Sequence, residues 1–172
     1  MSDAIRRIAR LVRWLLPVGM VAMPLLAGAD QGKDRVNKAR ELRCLALNIY
    51  HEARGEPIDG QLAVAIVTMN RVRSDKYPNT VCRVVWQHRQ FSWTQDGRSD
   101  RPRDRQAWAL AQRIAEVVYE KYDLLKARSK GAWDITRGAL YYYAPHKVDP
   151  HWARYKQPTR QIGGHLFLRE DS

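Results

Sequence analysis

An apolar segment near the middle of the chain constrains the fold most strongly. Residues 62–69 read LAVAIVTM, which places apolar side chains on almost every side of a helix. Such a helix must be surrounded by other elements, so we predict a central, buried helix over Gly60–Val72 with Asp59 as its N-cap. A chain of 172 residues with six tryptophans is large enough to bury this helix within one domain.

Another helix is predicted just before this segment, from Asn37 to Arg54. At helical spacing it places apolar side chains on one face, namely those of Leu42, Leu45, Ala46, Ile49 and Ala53. Glu52 falls at the edge of that face, whereas His51 and Arg54 point away from it.

This helix is predicted to stop abruptly. Gly55 suits a helix C-terminus, and Pro57 prevents the helix from continuing. Glu56 precedes the proline and is therefore predicted to leave helical geometry. A capping or ion-pairing role at the helix end is expected for Glu56.

The remaining segments predict two more helices, a long loop and a small sheet. They are a short helix from Thr80, as its cap, to Gln87; a loop over 88–101; a long helix over 102–126; a strand within 138–145; and a hairpin of 160–162 and 165–168 around Gly163 and Gly164. We therefore predict an α+β fold that is mainly helical, with a small antiparallel sheet at the C-terminal end.

The N-terminal 29 residues differ from the rest. Four arginines precede an uncharged run, 14–29, that contains two prolines and ends in Ala-Gly-Ala. This pattern predicts a signal peptide or an uncleaved signal-anchor over 1–29 and a linker over 30–36, which are followed by the main domain over 37–172. The expected location is the periplasm or cell envelope, with transient contact at the inner membrane or a tether before release.

The chain is strongly basic, with a formal net charge of +12. Loss of residues 1–29 removes four arginines and Asp3, which leaves +9. This charge predicts an anionic partner, which is a nucleic acid, a membrane surface or an acidic polymer. Because no zinc finger, helix-turn-helix or RNA-binding aromatic motif is found and an export signal is predicted, no nucleic-acid partner is expected.

The two cysteines, Cys44 and Cys82, are predicted to form one disulfide if the protein is exported. Two buried free thiols are the alternative in a reducing compartment. A disulfide here would close a loop of 38 positions and stabilise the fold by about 4 kcal/mol through chain entropy.

Glu52 is the strongest catalytic candidate. A carboxyl group at the margin of an apolar helix face is partly desolvated, which raises its pKa and suits it to act as a general acid. The alternative is an ion pair with a nearby arginine, for which Arg54, Arg71 and Arg73 are the candidates.

Six sequence blocks resemble, in order, the catalytic domain of the SleB-type cell wall hydrolases. The blocks are IYHEARGEP, GQLAVAIVTMNRV, YPNTVCRVVWQ, QFSWTQDG, GALYYYAP and IGGHLFLR, and the resemblance covers about residues 42–169. It implies a lysozyme- or transglycosylase-like fold and cleavage of peptidoglycan between N-acetylmuramic acid and N-acetylglucosamine, without a cofactor. It also implies that Glu52 is the catalytic glutamate. Relatives often have cysteines around the fourth block, where this chain has Arg89 and Gln95.

A second carboxylate would decide between hydrolysis and transglycosylation. Glu56 is near in sequence, and Asp96 lies in the predicted loop, where an Asp-Gly turn also explains it. With Glu52 alone, we expect a lytic transglycosylase that yields a 1,6-anhydro sugar. Whether the chain is a host remodelling enzyme or a phage endolysin is left open.

Aromatic residues are expected to bind sugars. On a strand, Tyr141 and Tyr143 share one face and Tyr142 takes the other, and one of these faces is predicted to line the cleft. Phe91 and Trp93 are further sugar-stacking candidates.

Two other classes of protein remain as alternatives. A zinc amidase needs a compact set of ligands, and the five histidines show no such spacing, so no metal site is predicted. A basic module without catalysis, which binds nucleic acid or the cell wall, is the second alternative.

Overall fold

The structure is a computed structural model that describes residues 27–129 and 132–171. In chain order the elements are α1 (Ala27–Ala53), α2 (Ile58–Val72), α3 (Val81–Val85), a 3₁₀ helix (Ser92–Gln95), α4 (Arg105–Ser129), β1 (Tyr141–Tyr143), a second 3₁₀ helix (His151–Tyr155), β2 (Lys156–Ile162) and β3 (His165–Glu170). The fold is mainly helical with a small antiparallel sheet at the C-terminal end, as predicted.

Helix α1 begins at Ala27, ten residues before the predicted start at Asn37, and includes the predicted linker, residues 30–36. Side chains 31–40 are exposed, so this part of the helix lacks the apolar periodicity on which the prediction relied. The chain divides into two compact units, and the second, Asp34–Ser172, contains the contacts described below. Most of the predicted export segment, 1–26, lies outside the described residues. Within the described part of the chain, no helix has the length and hydropathy needed to cross a membrane.

Helix α2 is the central element, which confirms the main prediction. Ala65, Ile66 and Met69 pack into the larger core cluster with residues of α1, α3 and α4. Ala63 and Val67 pack into a second cluster that contains Phe167 of β3. Because α2 contacts helices on one side and the sheet on the other, it needs apolar side chains all round.

The predicted N-cap is wrong for α2 and correct in position for α3. Pro57 takes the N-cap position of α2, and Asp59 lies in the first turn, where its charge still favours the helix N-terminus. Thr80 takes the N-cap position of α3, but its side chain makes no capping hydrogen bond. Instead, the carboxylate of Glu41 in α1 accepts hydrogen bonds from the first two N–H groups of α3, at 2.6 and 3.3 Å. A cap supplied by a distant helix leaves no local sequence signal.

The sheet has the strand order β1-β3-β2, and both pairs are antiparallel. Strands β2 and β3 form the predicted hairpin, and Gly163 in its turn has φ +57°. Strand β1 is shorter than predicted and pairs with β3 so that Tyr142 lies opposite Phe167. This pairing brings β1 beside the end of α1.

The predicted disulfide is present. Cys44 in α1 and Cys82 in α3 are bonded, with their Cα atoms 5.2 Å apart. The bond therefore connects the helix that carries Glu52 to the short helix that precedes the 3₁₀ segment.

Candidate active site

Glu52 lies on the last turn of α1, in the wall of an open cleft of about 520 Å³. A cleft of this volume is in the range of sites that bind small ligands. Its other lining residues are Arg89, Gln90, Phe91, Ser92, Gln95, Tyr143, Val148, Pro150 and Trp152. The end of α1, the segment around the first 3₁₀ helix and the region after β1 thus meet around one carboxyl group.

The surroundings of Glu52 favour its neutral form. Burial raises the pKa of its carboxyl group, and this effect exceeds the opposing influence of a hydrogen bond from Tyr142 and of the charges on Arg71 and Lys147. A carboxyl group that holds its proton at higher pH than usual is suited to donate that proton to a leaving group.

The tyrosine that contacts Glu52 is Tyr142. Its hydroxyl donates a hydrogen bond to Oε2 of Glu52 at 3.3 Å. Its ring packs against those of Phe167 and His165, with centroids 5.6 and 5.3 Å away. Burial raises the pKa of Tyr142 well above its usual value, so the hydroxyl stays a donor. The alternation of β1 was predicted, but a strand pattern alone does not say which face meets the helix.

Tyr143 also lines the cleft of Glu52. Tyr141 lines an adjoining hollow, and its hydroxyl donates a hydrogen bond to Glu170. The ring of Trp152 lies 5.8 Å from each of these two tyrosine rings and is 41% exposed. Trp152 was not predicted as a site residue, because it lies alone in an irregular segment without a motif around it.

The ion-pair alternative for Glu52 is not supported. Among the described residues, the ion pairs do not include Glu52. Arg73 pairs with Asp123, and the guanidinium of Arg54 lies over the ring of Tyr50. Arg71 is buried and donates from Nε to the carbonyl of Leu140 at 2.7 Å.

Glu56 connects the junction of α1 and α2 to the turn of the hairpin. Its Oε2 accepts a hydrogen bond from the N–H of Gly164 at 2.7 Å, and its Oε1 lies 3.8 Å from Nδ1 of His165. Burial lowers the pKa of His165, so this contact is not a full ion pair near neutral pH. Glu56 does not cap α1 and is not among the residues that line the cleft.

Asp96 is not brought into the cleft either. It lines a separate hollow with His51 and Trp93. Its Oδ1 accepts the N–H of Arg98 at 2.9 Å, and Gly97 has φ +70°. These contacts agree with the alternative role of Asp96 as a turn residue before Gly97.

Neither aromatic residue of the fourth block presents an open face. Trp93 is 7% exposed, stacks on His51 at 4.5 Å and donates from Nε1 to Oδ1 of Asn48 at 3.4 Å. Phe91 is 4% exposed, with the guanidinium of Arg71 5.3 Å from its ring centroid. The sugar-stacking expectation is therefore wrong for Trp93, while Phe91 contributes only to the cleft wall. His51, predicted to point away, is held in this cluster.

Within residues 27–129 and 132–171, no three side chains of His, Cys, Asp or Glu converge in a way that could hold a metal ion.

Comparison with known proteins places the chain in a family. The sequence profile described as Cell Wall Hydrolase matches residues 55–168, a range that begins just after Glu52. The chain is 32% identical over 130 residues to a spore cortex-lytic enzyme of Oceanobacillus iheyensis, covering 75% of this chain and 41% of that protein. The identity is also 32% over 128 residues to the spore cortex-lytic enzyme of Bacillus subtilis, covering 74% of this chain and 37% of that protein. The chain thus spans about two fifths of the length of these relatives.

Two solved structures are similar over most of their own length. The catalytic domain of the Bacillus cereus SleB protein superposes with a TM-score of 0.56 at 31% identity, covering 75% of this chain and 89% of that domain. The catalytic domain of the germination-specific lytic transglycosylase SleB of Bacillus anthracis gives the same TM-score at 30% identity, covering 75% and 93%. With a profile match over most of the chain and these similarities, the chain belongs to the SleB-type cell wall hydrolase family.

Proposed function

We propose that the protein degrades peptidoglycan by cleaving the glycan bond between N-acetylmuramic acid and N-acetylglucosamine, as a lytic transglycosylase with Glu52 as its single acid and base. The observation that carries this proposal is the desolvated carboxyl group of Glu52 in the wall of an open cleft. Membership of the cell wall hydrolase family and the similarity to the lytic transglycosylase of Bacillus anthracis support the same reaction.

The reaction proceeds in two proton transfers. Neutral Glu52 donates its proton to the glycosidic oxygen, and the bond between that oxygen and C1 of the muramic acid breaks as positive charge develops at C1. The carboxylate of Glu52 then takes the proton from the 6-hydroxyl of the same sugar, whose oxygen bonds to C1. The product is a 1,6-anhydro sugar, no water is consumed, and Glu52 regains its proton.

Tyr142 positions the carboxyl group for both steps. Its hydroxyl is a permanent donor to Oε2, which leaves Oε1 as the oxygen oriented for the substrate. The same hydrogen bond stabilises the carboxylate that forms after the first transfer.

The placement of the other carboxylates supports a single-glutamate route. Glu56 is engaged by the hairpin turn, and Asp96 lines a different hollow. A hydrolase would need a second carboxylate that directs a water onto C1 or attacks C1 itself. Neither residue lines the cleft of Glu52.

The substrate also accounts for the charge and the expected location. Peptidoglycan and its attached polymers are anionic, so a strongly basic domain concentrates on them. An envelope location is expected for an enzyme that acts on the cell wall, and the disulfide suits an oxidising compartment. We therefore propose export through segment 1–29, with action in the periplasm or at the envelope.

Activity of point variants tests the proposal. Release of soluble fragments from purified peptidoglycan should fall at least about a thousandfold in Glu52→Gln, since the acid and the base are lost together. Asp96→Asn and Glu56→Gln are the matched controls and should keep most of the activity. An active Glu52→Gln variant would overturn the proposal, and full loss in Asp96→Asn would make Asp96 a second catalytic carboxylate.

A further inference from the structure

A second hollow, of about 260 Å³, adjoins the cleft of Glu52. The two share Arg89, Gln90 and Trp152 as lining residues. Arg71 and Tyr77 line the second hollow but not the cleft. Two arginines line it, and none of the described acidic residues does, so its potential is positive.

The charge of Arg71 is not neutralised by an ion pair. The residue is 5% exposed, and among the described residues it has no acidic partner at ion-pair distance. Nε donates to a backbone carbonyl, while Nη1 is enclosed and finds no hydrogen-bond partner in the described part of the chain. A buried cation of this kind acts on a ligand through its field rather than by contact, because low-dielectric surroundings screen it little.

Arg89 is the group that can make the contact. Its side chain is exposed, and no hydrogen bond or ion pair engages its guanidinium within the described part of the chain. Its backbone has φ +61°, a conformation that non-glycine residues seldom adopt. Such a residue is held in place by its surroundings, and local strain of this kind is often found at functional sites.

We propose that this hollow binds a carboxylate of the peptide stem attached to the muramic acid, with Arg89 as the contact residue. This inference rests on the proposed function. The stem leaves the sugar through its lactyl group and carries free carboxylates, which a guanidinium binds with two parallel hydrogen bonds. Because the hollow shares a wall with the cleft, a sugar beside Glu52 would place its stem there. The enzyme would therefore prefer peptide-bearing glycan to bare glycan.

The test compares two substrates in the full chain. Peptidoglycan strands that carry stems and the same strands stripped of stems are each assayed for kcat/KM with the wild type and with Arg89→Gly. Glycine relaxes the backbone at φ +61°, so this variant removes the guanidinium without adding strain. We expect wild type to prefer the stem-bearing strands by about tenfold, as for a charged hydrogen bond. Arg89→Gly should lose that preference, because its kcat/KM should fall more on the stem-bearing strands than on the bare ones.

Arg137→Gly is the matched control. Arg137 is also an exposed arginine with a left-handed backbone, φ +56°, but it lines neither hollow. The Arg137→Gly variant should leave both rates unchanged. Arg89→Lys should retain part of the preference for stem-bearing strands that Arg89→Gly loses. Equal loss on both substrates in Arg89→Gly, or a wild type without preference, would overturn the inference.

A binding measurement separates this inference from the catalytic proposal. A synthetic stem tripeptide with free carboxylates and its amidated form are titrated into Glu52→Gln and into the Glu52→Gln, Arg89→Gly double variant. Weaker binding by about tenfold on amidation, or on loss of Arg89, supports the hollow as a carboxylate site even if no glycan is cleaved. Equal binding in all four combinations contradicts it.

Discussion

The hydroxyl of Tyr142 and the carboxyl group of Glu52 lie 3.3 Å apart, although 90 positions separate them in the chain. The contact exists because β1 pairs with β3 beside the end of α1. It gives the proposed acid a permanent donor within an otherwise desolvating environment.

Removing that donor should shift the pH dependence of the reaction. The hydrogen bond from Tyr142 lowers the pKa of Glu52, so Tyr142→Phe should raise this pKa further. The general acid must be protonated, and activity falls as pH rises through its pKa. The descending limb of the pH–rate profile should therefore move to higher pH, with kcat lower by about tenfold. Tyr143→Phe, on the same cleft but without this contact, should leave the limb in place.

The buried carboxyl group of Glu52 should also lower the stability of the folded protein at neutral pH. Its folded-state pKa is raised above the unfolded value, so the folded state holds the proton over a pH range in which the unfolded state has lost it. Stability contributed by this group is full below the unfolded pKa and is lost as pH rises through the folded pKa. Glu52→Gln should thus melt at a higher temperature than wild type at pH 7, and the gain should vanish near pH 4. A gain that grows on acidification would contradict the proposed environment.

The hairpin turn should tolerate no side chain at Gly163. A Cβ at Gly163 would overlap Oε2 of Glu56, and the residue has φ +57°. We expect Gly163→Ala to destabilise by about 2–4 kcal/mol in urea unfolding, from backbone strain plus displacement of the carboxylate. Gly97→Ala isolates the effect of backbone strain, because Gly97 has φ +70° and no atom of the described residues lies within 4 Å of an added Cβ. This variant should cost about 1 kcal/mol. In a Glu56→Ala background, Gly163→Ala should lower the free energy of unfolding by less. An unchanged loss would contradict the close approach of the Glu56 carboxylate to Gly163.

The disulfide should contribute strongly to stability. Cys44 and Cys82 close a loop of 38 positions, so the Cys44→Ser, Cys82→Ser double variant should lose about 4 kcal/mol of unfolding free energy. Reduction of the wild type with dithiothreitol should produce the same loss, and the double variant should not respond to it. Equal unfolding free energies with and without the disulfide would contradict this prediction.

Much of this architecture follows from local patterns in the sequence. The all-round apolar character of α2 predicted its central position, and the glycine pair predicted the hairpin. Glu52 was found because it borders an apolar face near a helix end, and because of the motif around it. These signals involve residues within a few positions of one another.

The features that were missed depend on distant contacts. The first exposed turns of α1 carry no periodicity, and the cap of α3 comes from Glu41 in another helix. Which tyrosine of β1 contacts Glu52 depends on how β1 packs beside α1. The burial of Trp93 depends on its contacts with His51 and Asn48. None of these relationships is encoded in a short segment.

Mass spectrometry of the products released from purified peptidoglycan shows directly whether Glu52 cleaves the glycan by transglycosylation. The full chain and its Glu52→Gln variant are digested side by side, with Glu56→Gln as the control. We expect fragments that end in 1,6-anhydro-muramic acid from the wild type and the control, and none from Glu52→Gln. Fragments with reducing ends, each heavier by one water, would mean hydrolysis and a second carboxylate, and release of free stem peptides would contradict glycan cleavage altogether.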